Sequence, residues 1–179
     1  MKYKFVHILG ASGSGTTTLG KKIASKYNYT HLDSDDYYWN NHSSTIPFTN
    51  ARKPEERIEL LKKDIAKYNN IVLSGAVCNW GDELKDLFDL VIFLNISTET
   101  RVKRIKEREI NRFGDRILPG GDMYDQHQDF IEWARIYDNG DENVRSYKLH
   151  SNWIKDLKCP VITINEGDSV DEVLDRIFS

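Results

Sequence analysis

The stretch Gly10-Ala-Ser-Gly-Ser-Gly-Thr-Thr-Thr18 places glycines at 10 and 15 and a hydroxyl at Thr17. Gly, four residues, Gly, one residue, Ser/Thr is the spacing of a loop that cradles phosphates. Its glycines let the backbone approach an anion and present successive N–H groups, while the helix that follows adds partial positive charge. Gly10, Ser12, Gly13, Ser14, Gly15, Thr16, Thr17 and Thr18 are therefore the candidate phosphate-binding residues, with Thr17 placed to ligate Mg²⁺ and Thr18 to supplement it. Thr16 stands where such loops carry lysine, which keeps a hydrogen bond but loses a unit charge. Gly13 and Gly15 also fit the first two positions of G-x-G-x-x-G, but Thr18 occupies the third, where close helix packing wants Gly or Ala.

A second polar group is Asp33-Ser-Asp35. In extended backbone the two carboxylates point the same way. Such a pair can serve Mg²⁺ and a substrate hydroxyl, one member orienting it or taking its proton. The alternative is that Asp35 or Asp36 caps a short helix. A third group is basic. Arg101, Arg104, Arg108 and Arg112 recur at three and four residues, so they share a helix face. Arginine suits bidentate phosphate recognition. Lys21 and Lys22 are poorer replacements for a loop lysine, because they lie about 7–9 Å farther along the helix.

The elements that must position these residues alternate in kind. Lys4–Gly10 reads as a buried strand, and Leu19, Ile23 and Tyr27 mark a helix from Thr16. Tyr29–Asp33 is a second strand, after which the pattern is irregular through Pro47. A helix opens at Pro54, Asn70–Gly75 and Leu87–Asn95 are strands, and a helix runs from Thr98 to about Ile110. A glycine- and proline-bearing loop, Asn111–Asp122, precedes helical stretches near Met123–Tyr137 and Asn143–Leu157. Pro160–Asn165 is a fifth strand, and Ser169–Glu172 forms a capping box for the last helix. The expectation is one α/β domain over residues 1–179, a three-layer, doubly wound, mainly parallel five-stranded sheet.

His-Ile-Leu-Gly-Ala-Ser-Gly-Ser-Gly-Thr-Thr-Thr-Leu-Gly-Lys-Lys-Ile-Ala resembles the opening of P-loop kinases of the adenylate, shikimate and gluconate kinase group, and the order of elements is similar over the chain. The resemblance implies the P-loop nucleoside triphosphate hydrolase fold, ATP and Mg²⁺ as cofactors, and transfer of the γ-phosphate to a nucleotide or small hydroxylated metabolite. It implies a lid at about 111–122, with Arg104, Arg108 and Arg116 contacting phosphates, Thr17 and Asp33 at the metal, and Asp35 at the acceptor hydroxyl. Arg52 and Arg57 are candidates to grip an acceptor phosphate or equally are exposed helix-entry residues, and Tyr37, Tyr38, Trp39 and Trp80 either wall an aromatic or sugar pocket or pack in the core. Asn165 and Gly167 match the loop that touches adenine. Ser74 departs from the acid common after the third strand. The alternative is a nucleotide sensor that lost catalysis with the lysine; a hydrolase acting with nucleic acid is weaker.

Composition is compatible with these readings. A net charge of −3 gives no general pull toward nucleic acid or membrane. No apolar run approaches the ~18 residues of a span, and the N-terminal stretch is too interrupted for a signal peptide. Cys78 and Cys159 have neither metal spacing nor scaffold density. The expectation is a cytoplasmic monomer or homodimer without membrane or nucleic-acid partners.

Overall fold

The computed structural model describes residues 2–40 and 45–179; Met1 and residues 41–44, part of the irregular stretch before Pro47, lie outside them. Strands β1 (Phe5–Gly10), β2 (Thr30–Asp33), β3 (Ile71–Ser74), β4 (Leu90–Asn95) and β5 (Val161–Asn165) form one parallel sheet in the order β2-β3-β1-β4-β5. The helices are α1 (Thr16–Tyr27), α2 (Ser34–Tyr38), α3 (Pro54–Ile65), α4 (Thr98–Phe113), α5 (Tyr124–Arg135), α6 (Tyr147–Lys155) and α7 (Val170–Phe178).

Side chains alternate across each strand, so the central strands feed two cores. Val6, Ile8, Val72 and Ile92 meet Leu19 and Ile23 of α1 and Leu174 and Ile177 of α7. Phe5, Leu9, Leu73 and Val91 pack on the opposite face with Tyr37, Leu61 and Trp153. The three layers and the doubly wound parallel sheet are those read from the sequence. Among the described residues, no helix is long and apolar enough to cross a membrane.

Register fixes the chemistry at the carboxyl edge. Ser74 pairs with Ile8 on one side and Asp33 on the other, so the ends of β2 and β3 stand together beside the exit of β1. The chain passes from β1 to the β2 side and later returns to β4 on the other, which leaves a crevice at the β1/β3 boundary.

One local expectation is corrected here. Asp33 and Asp35 do not share an extended segment: β2 ends at Asp33, and Asp35 lies in the first turn of α2. The cap is Asp33 itself, whose Oδ1 accepts from the Asp35 N–H at 3.1 Å. Its carboxylate satisfies an end-of-helix donor that has no partner within the helix.

Candidate functional site

The loop between β1 and α1 curls at Gly13, where φ is 81°. A Cβ there would sit 2.6 Å from the Arg101 carbonyl oxygen, so only glycine lets the loop rest on the first turn of α4. Ser14 N–H donates to the Ala11 carbonyl at 3.0 Å, while the buried Ser14 Oγ has no partner among the described residues. Thr16 lines the crevice, and its methyl lies 3.2 Å from where a Cβ on Gly10 would stand.

Thr17 opens toward the acidic strand ends. Its Oγ1 donates to Asp33 Oδ2 at 2.7 Å, and Ser74 Oγ donates to the same oxygen at 3.0 Å. His31 Nε2 lies 2.9 Å from Ser74 Oγ, extending the chain to four side chains. Burial lowers the His31 pKa, with Asp33 opposing. The fourth member fits because Gly20 of α1 carries no side chain: a Cβ there would be 2.6 Å from the imidazole. Thr17 and Asp33 thus meet, and Ser74, read as a departure, is a working member of their network.

A cavity of about 470 Å³ spreads from this network, lined by Gly10, Ser12, Gly13, Thr16, Thr17 and Asp33 on one side. Asp35, Arg108, Glu109, Arg112 and Arg145 also line it. Asp35 is open to the cavity, yet crowding by protein atoms and the charge of Asp33 push its carboxyl above the usual carboxylate range. Arg145 and Arg108 partly offset this.

The arginines of α4 divide by position. Arg101, fully buried, donates to the carbonyls of Ile96, Ser12 and Ala134 and is structural. Arg104 donates to the Ser14 carbonyl at 3.3 Å and reaches a second cavity of about 430 Å³. That cavity also holds Ser14, Gly15, Thr18, Asn165 and Gly167. Arg108 pairs with Glu109 at 3.1 Å at the first cavity. Arg116 is not brought to either cavity; it forms a two-pronged pair with Asp122, at 2.9 and 2.8 Å, and donates to the Thr45 carbonyl.

Arg52 and Arg57 are likewise engaged elsewhere. Arg52 Nη1 donates to the carbonyls of Asp36, Tyr37 and Trp39. Arg57 donates to the Arg52 carbonyl and stacks 3.6 Å from the Tyr38 ring centroid. Of the four aromatics read as either pocket wall or core, Tyr38 and Trp39 line the first cavity. Tyr37 is in the core bonded to Asp64, and Trp80 donates to the Ala76 carbonyl. Sequence reasoning missed Arg145, which follows an aperiodic polar run and stacks 5.4 Å from the Trp133 centroid. Arg112 was placed on the right face without a role; it stacks on Phe48 and Phe113.

Comparison with known proteins agrees with this geometry. A family model described as AAA domain matches residues 6–117. "Uncharacterized protein YqaC" of Bacillus subtilis (strain 168) is 48% identical over 175 residues, covering 98% of this chain and 96% of that protein. A cytidylate kinase of Methanococcus vannielii is 30% identical over 113 residues, 58% of this chain and 65% of that enzyme, so the match spans less than two thirds of it. The solved shikimate kinase from Acinetobacter baumannii in complex with shikimate superposes with a TM-score of 0.57 at 17% identity, covering 97% of this chain and 90% of that one. That likeness is one of fold: a five-stranded parallel sheet with flanking helices. With a phosphate-type loop between β1 and α1 and a family match over most of its sheet, the chain belongs to the AAA domain family, among P-loop proteins related to small-molecule and nucleotide kinases.

Proposed function

We propose that the chain is an ATP-dependent phosphotransferase that moves the γ-phosphoryl group to a hydroxyl of a small acceptor. The observation that carries this reading is the meeting, around one cavity, of the glycine loop, the Thr17–Asp33 pair, Asp35 and Arg108. The loop residues from Gly10 to Thr18 hold the phosphates, for which the unpartnered Ser14 Oγ is a spare donor. Thr17 and Asp33 offer the hard oxygens that Mg²⁺ takes together with substrate phosphates. When bound, Mg²⁺ neutralises phosphate charge during transfer. Arg108, Arg112 and Arg145 supply the positive charge that Thr16 lacks, and Arg104 orders the loop from the side of the second cavity. Asn165 and Gly167 border the donor base in that second cavity. Residues 111–122 act as the lid over the first, within a single domain. The free thiols Cys78 and Cys159 fit a reducing cytoplasm.

Asp35 selects the acceptor chemistry. A carboxylate beside Asp33 repels an anionic phosphate oxygen but accepts a hydrogen bond from a hydroxyl. The hydroxyl oxygen bonds to the γ-phosphorus as the bond from that phosphorus to the bridging oxygen breaks. ADP leaves with the electron pair, and the hydroxyl proton passes to Asp35 and then to water.

The test is ATP-to-acceptor transfer with Mg²⁺ over nucleosides, nucleotides and polyols. Asp35→Asn is expected to lower kcat by about 10²–10⁴ while leaving ATP affinity within about threefold. ATP binding without transfer to any acceptor overturns the proposal. A second reading, a nucleotide sensor, is favoured by Thr16 alone; an inactive wild type that gains turnover on Thr16→Lys selects it.

A further inference from the structure

We infer that the acceptor is a planar heteroaromatic alcohol, the class that includes nucleosides, with its ring between aromatic side chains of the first cavity and its hydroxyl at Asp35. This rests on the phosphotransferase reading and narrows it.

The walls are the first observation. Tyr38, Trp39, Phe48, Phe113, Phe130 and Trp133 all line the cavity. They form neighbouring groups: Trp39 stands edge-on to Tyr38 at 4.7 Å and to Phe48 at 6.0 Å, while Phe130 and Trp133 stack at 5.9 Å. Flat apolar faces complement a ring through stacked and edge-to-face contacts. Arginines lie against several of these rings (Arg57 on Tyr38, Arg112 on Phe48 and Phe113, Arg145 on Trp133). A planar heteroaromatic ring extends such stacks, whereas a polyol, with a hydroxyl on nearly every carbon, offers them no flat apolar surface. The cavity volume, about 470 Å³, falls in the ~300–1,000 Å³ range of small-ligand sites.

The second observation is independent of the first. Gln126 and His127, in the first turn of α5, line the same cavity. His127 is only 8% exposed, and its Nδ1 has no hydrogen-bond partner among the described residues. Gln126 donates its Nε2 to the Pro47 carbonyl at 3.0 Å, which leaves Oε1 as an enclosed acceptor, also without a partner. An enclosed polar atom without a partner is costly, so two side by side at a cavity wall call for a ligand that satisfies them. The edge of a heteroaromatic ring, with its N–H donors and ring-nitrogen acceptors, does so while its faces meet the aromatic walls.

The third observation concerns charge. Arg52 and Arg57, candidates by sequence to bind an acid group on the acceptor, are committed to backbone carbonyls and to the Tyr38 face. With Arg108, Arg112 and Arg145 given to the transferring phosphates in the phosphotransferase reading, this leaves an uncharged acceptor body.

Because Trp39 and Trp133 face the cavity, ring binding is readable without turnover. The purified full chain is titrated with ribo- and deoxyribonucleosides, with nucleoside monophosphates, with hydroxymethylpyridines, and with shikimate and sugar alcohols, following tryptophan emission. ATP-dependent phosphorylation of each compound is measured in parallel. The expected result is saturable quenching by, and phosphorylation of, at least one heteroaromatic alcohol, with the two arms separating nucleosides from simpler ring alcohols. Trp39→Phe and Trp133→Phe each remove part of the quench. His127→Leu or Gln126→Leu weakens ring binding tenfold or more with ATP affinity within threefold, and His127→Asn, which keeps a polar atom near Nδ1, restores it. Phosphorylation of polyols or of nucleoside monophosphates alone overturns the inference and leaves phosphotransfer standing. Transfer to no compound overturns the phosphotransferase reading itself, and absence of any quench then overturns the ring site as well.

Discussion

Acid should destabilise this fold through two imidazoles that the chain keeps neutral. His7, in the middle of β1, is fully buried, stacked on Phe88 at 4.8 Å and met edge-on by Trp153 at 5.7 Å. Its Nδ1 donates to the Leu73 carbonyl at 3.1 Å, while Nε2 has no partner among the described residues, so a second proton would face only packed side chains. Burial holds its pKa at about 4 instead of 6.5. His150 of α6 is also fully buried; its Nδ1 is 2.8 Å from the Tyr137 hydroxyl and its Nε2 has no partner among the described residues. Burial holds it at about 3, with Arg145 and His7 adding to the effect. The unfolded chain binds these protons near pH 6.5 and the folded chain resists them. The stabilising contribution is thus complete above 6.5 and is lost as pH falls toward the folded values. From about pH 7.5 to about pH 5, each imidazole accounts for a loss of about 2 kcal/mol. His7→Phe keeps the stacking and removes one of the two. Urea denaturation at the two pH values should show the variant losing about 2 kcal/mol less than the wild type, or about 4–8 °C less in Tm. A uniform packing cost of the substitution cancels in this difference. Identical pH dependence in variant and wild type refutes the assignment of His7 as a buried neutral base.

Arg108→Ala should lower kcat/KM about 10²-fold or more, whereas Arg116→Ala, held on the surface by Asp122, should stay within about threefold; steady-state kinetics with one acceptor decides it. Gly20→Ala should displace His31 and break its contact with Ser74, lowering Tm despite the better helix propensity of alanine. The double variant Gly20→Ala/Ser74→Ala should cost less than the sum of its parts, since both changes act on one network; strict additivity in thermal denaturation counts against it.

Much of the fold was legible because its signals are local. Short apolar runs, glycine at Gly10 and the Leu19/Ile23 spacing each act within one turn or strand, and the five strands and their helices followed. The loop itself was legible for the same reason. What failed were inferences about where charged ends point. Arg116 looked like a phosphate ligand until Asp122, six residues on in the same loop, took its guanidinium. Arg52 is consumed by carbonyls freed where α2 ends and Arg57 by the Arg52 carbonyl, which no residue pattern announces. Arg145 was missed because its approach to Asp35 and Trp133 is made by chain crossing, not spacing. His7 passed for an ordinary strand residue, since a two-residue period does not separate a neutral buried base from an apolar neighbour.

The buried Arg101 gives α4 an origin. Its guanidinium is fixed to Ser12 of the loop, to Ile96 at the end of β4 and to Ala134 of α5, so the helix begins at a set height above the phosphate loop. With a rise of about 1.5 Å per residue, Arg104, Arg108 and Arg112 then stand about 4.5, 10.5 and 16.5 Å along the axis from that origin. The helix works as a ruler that converts sequence number into reach across the cavity. Its graduations depend on phase as well as length: one residue inserted after Arg101 turns every later arginine by about 100°, swinging the whole row off the wall while leaving composition, charge and helix intact.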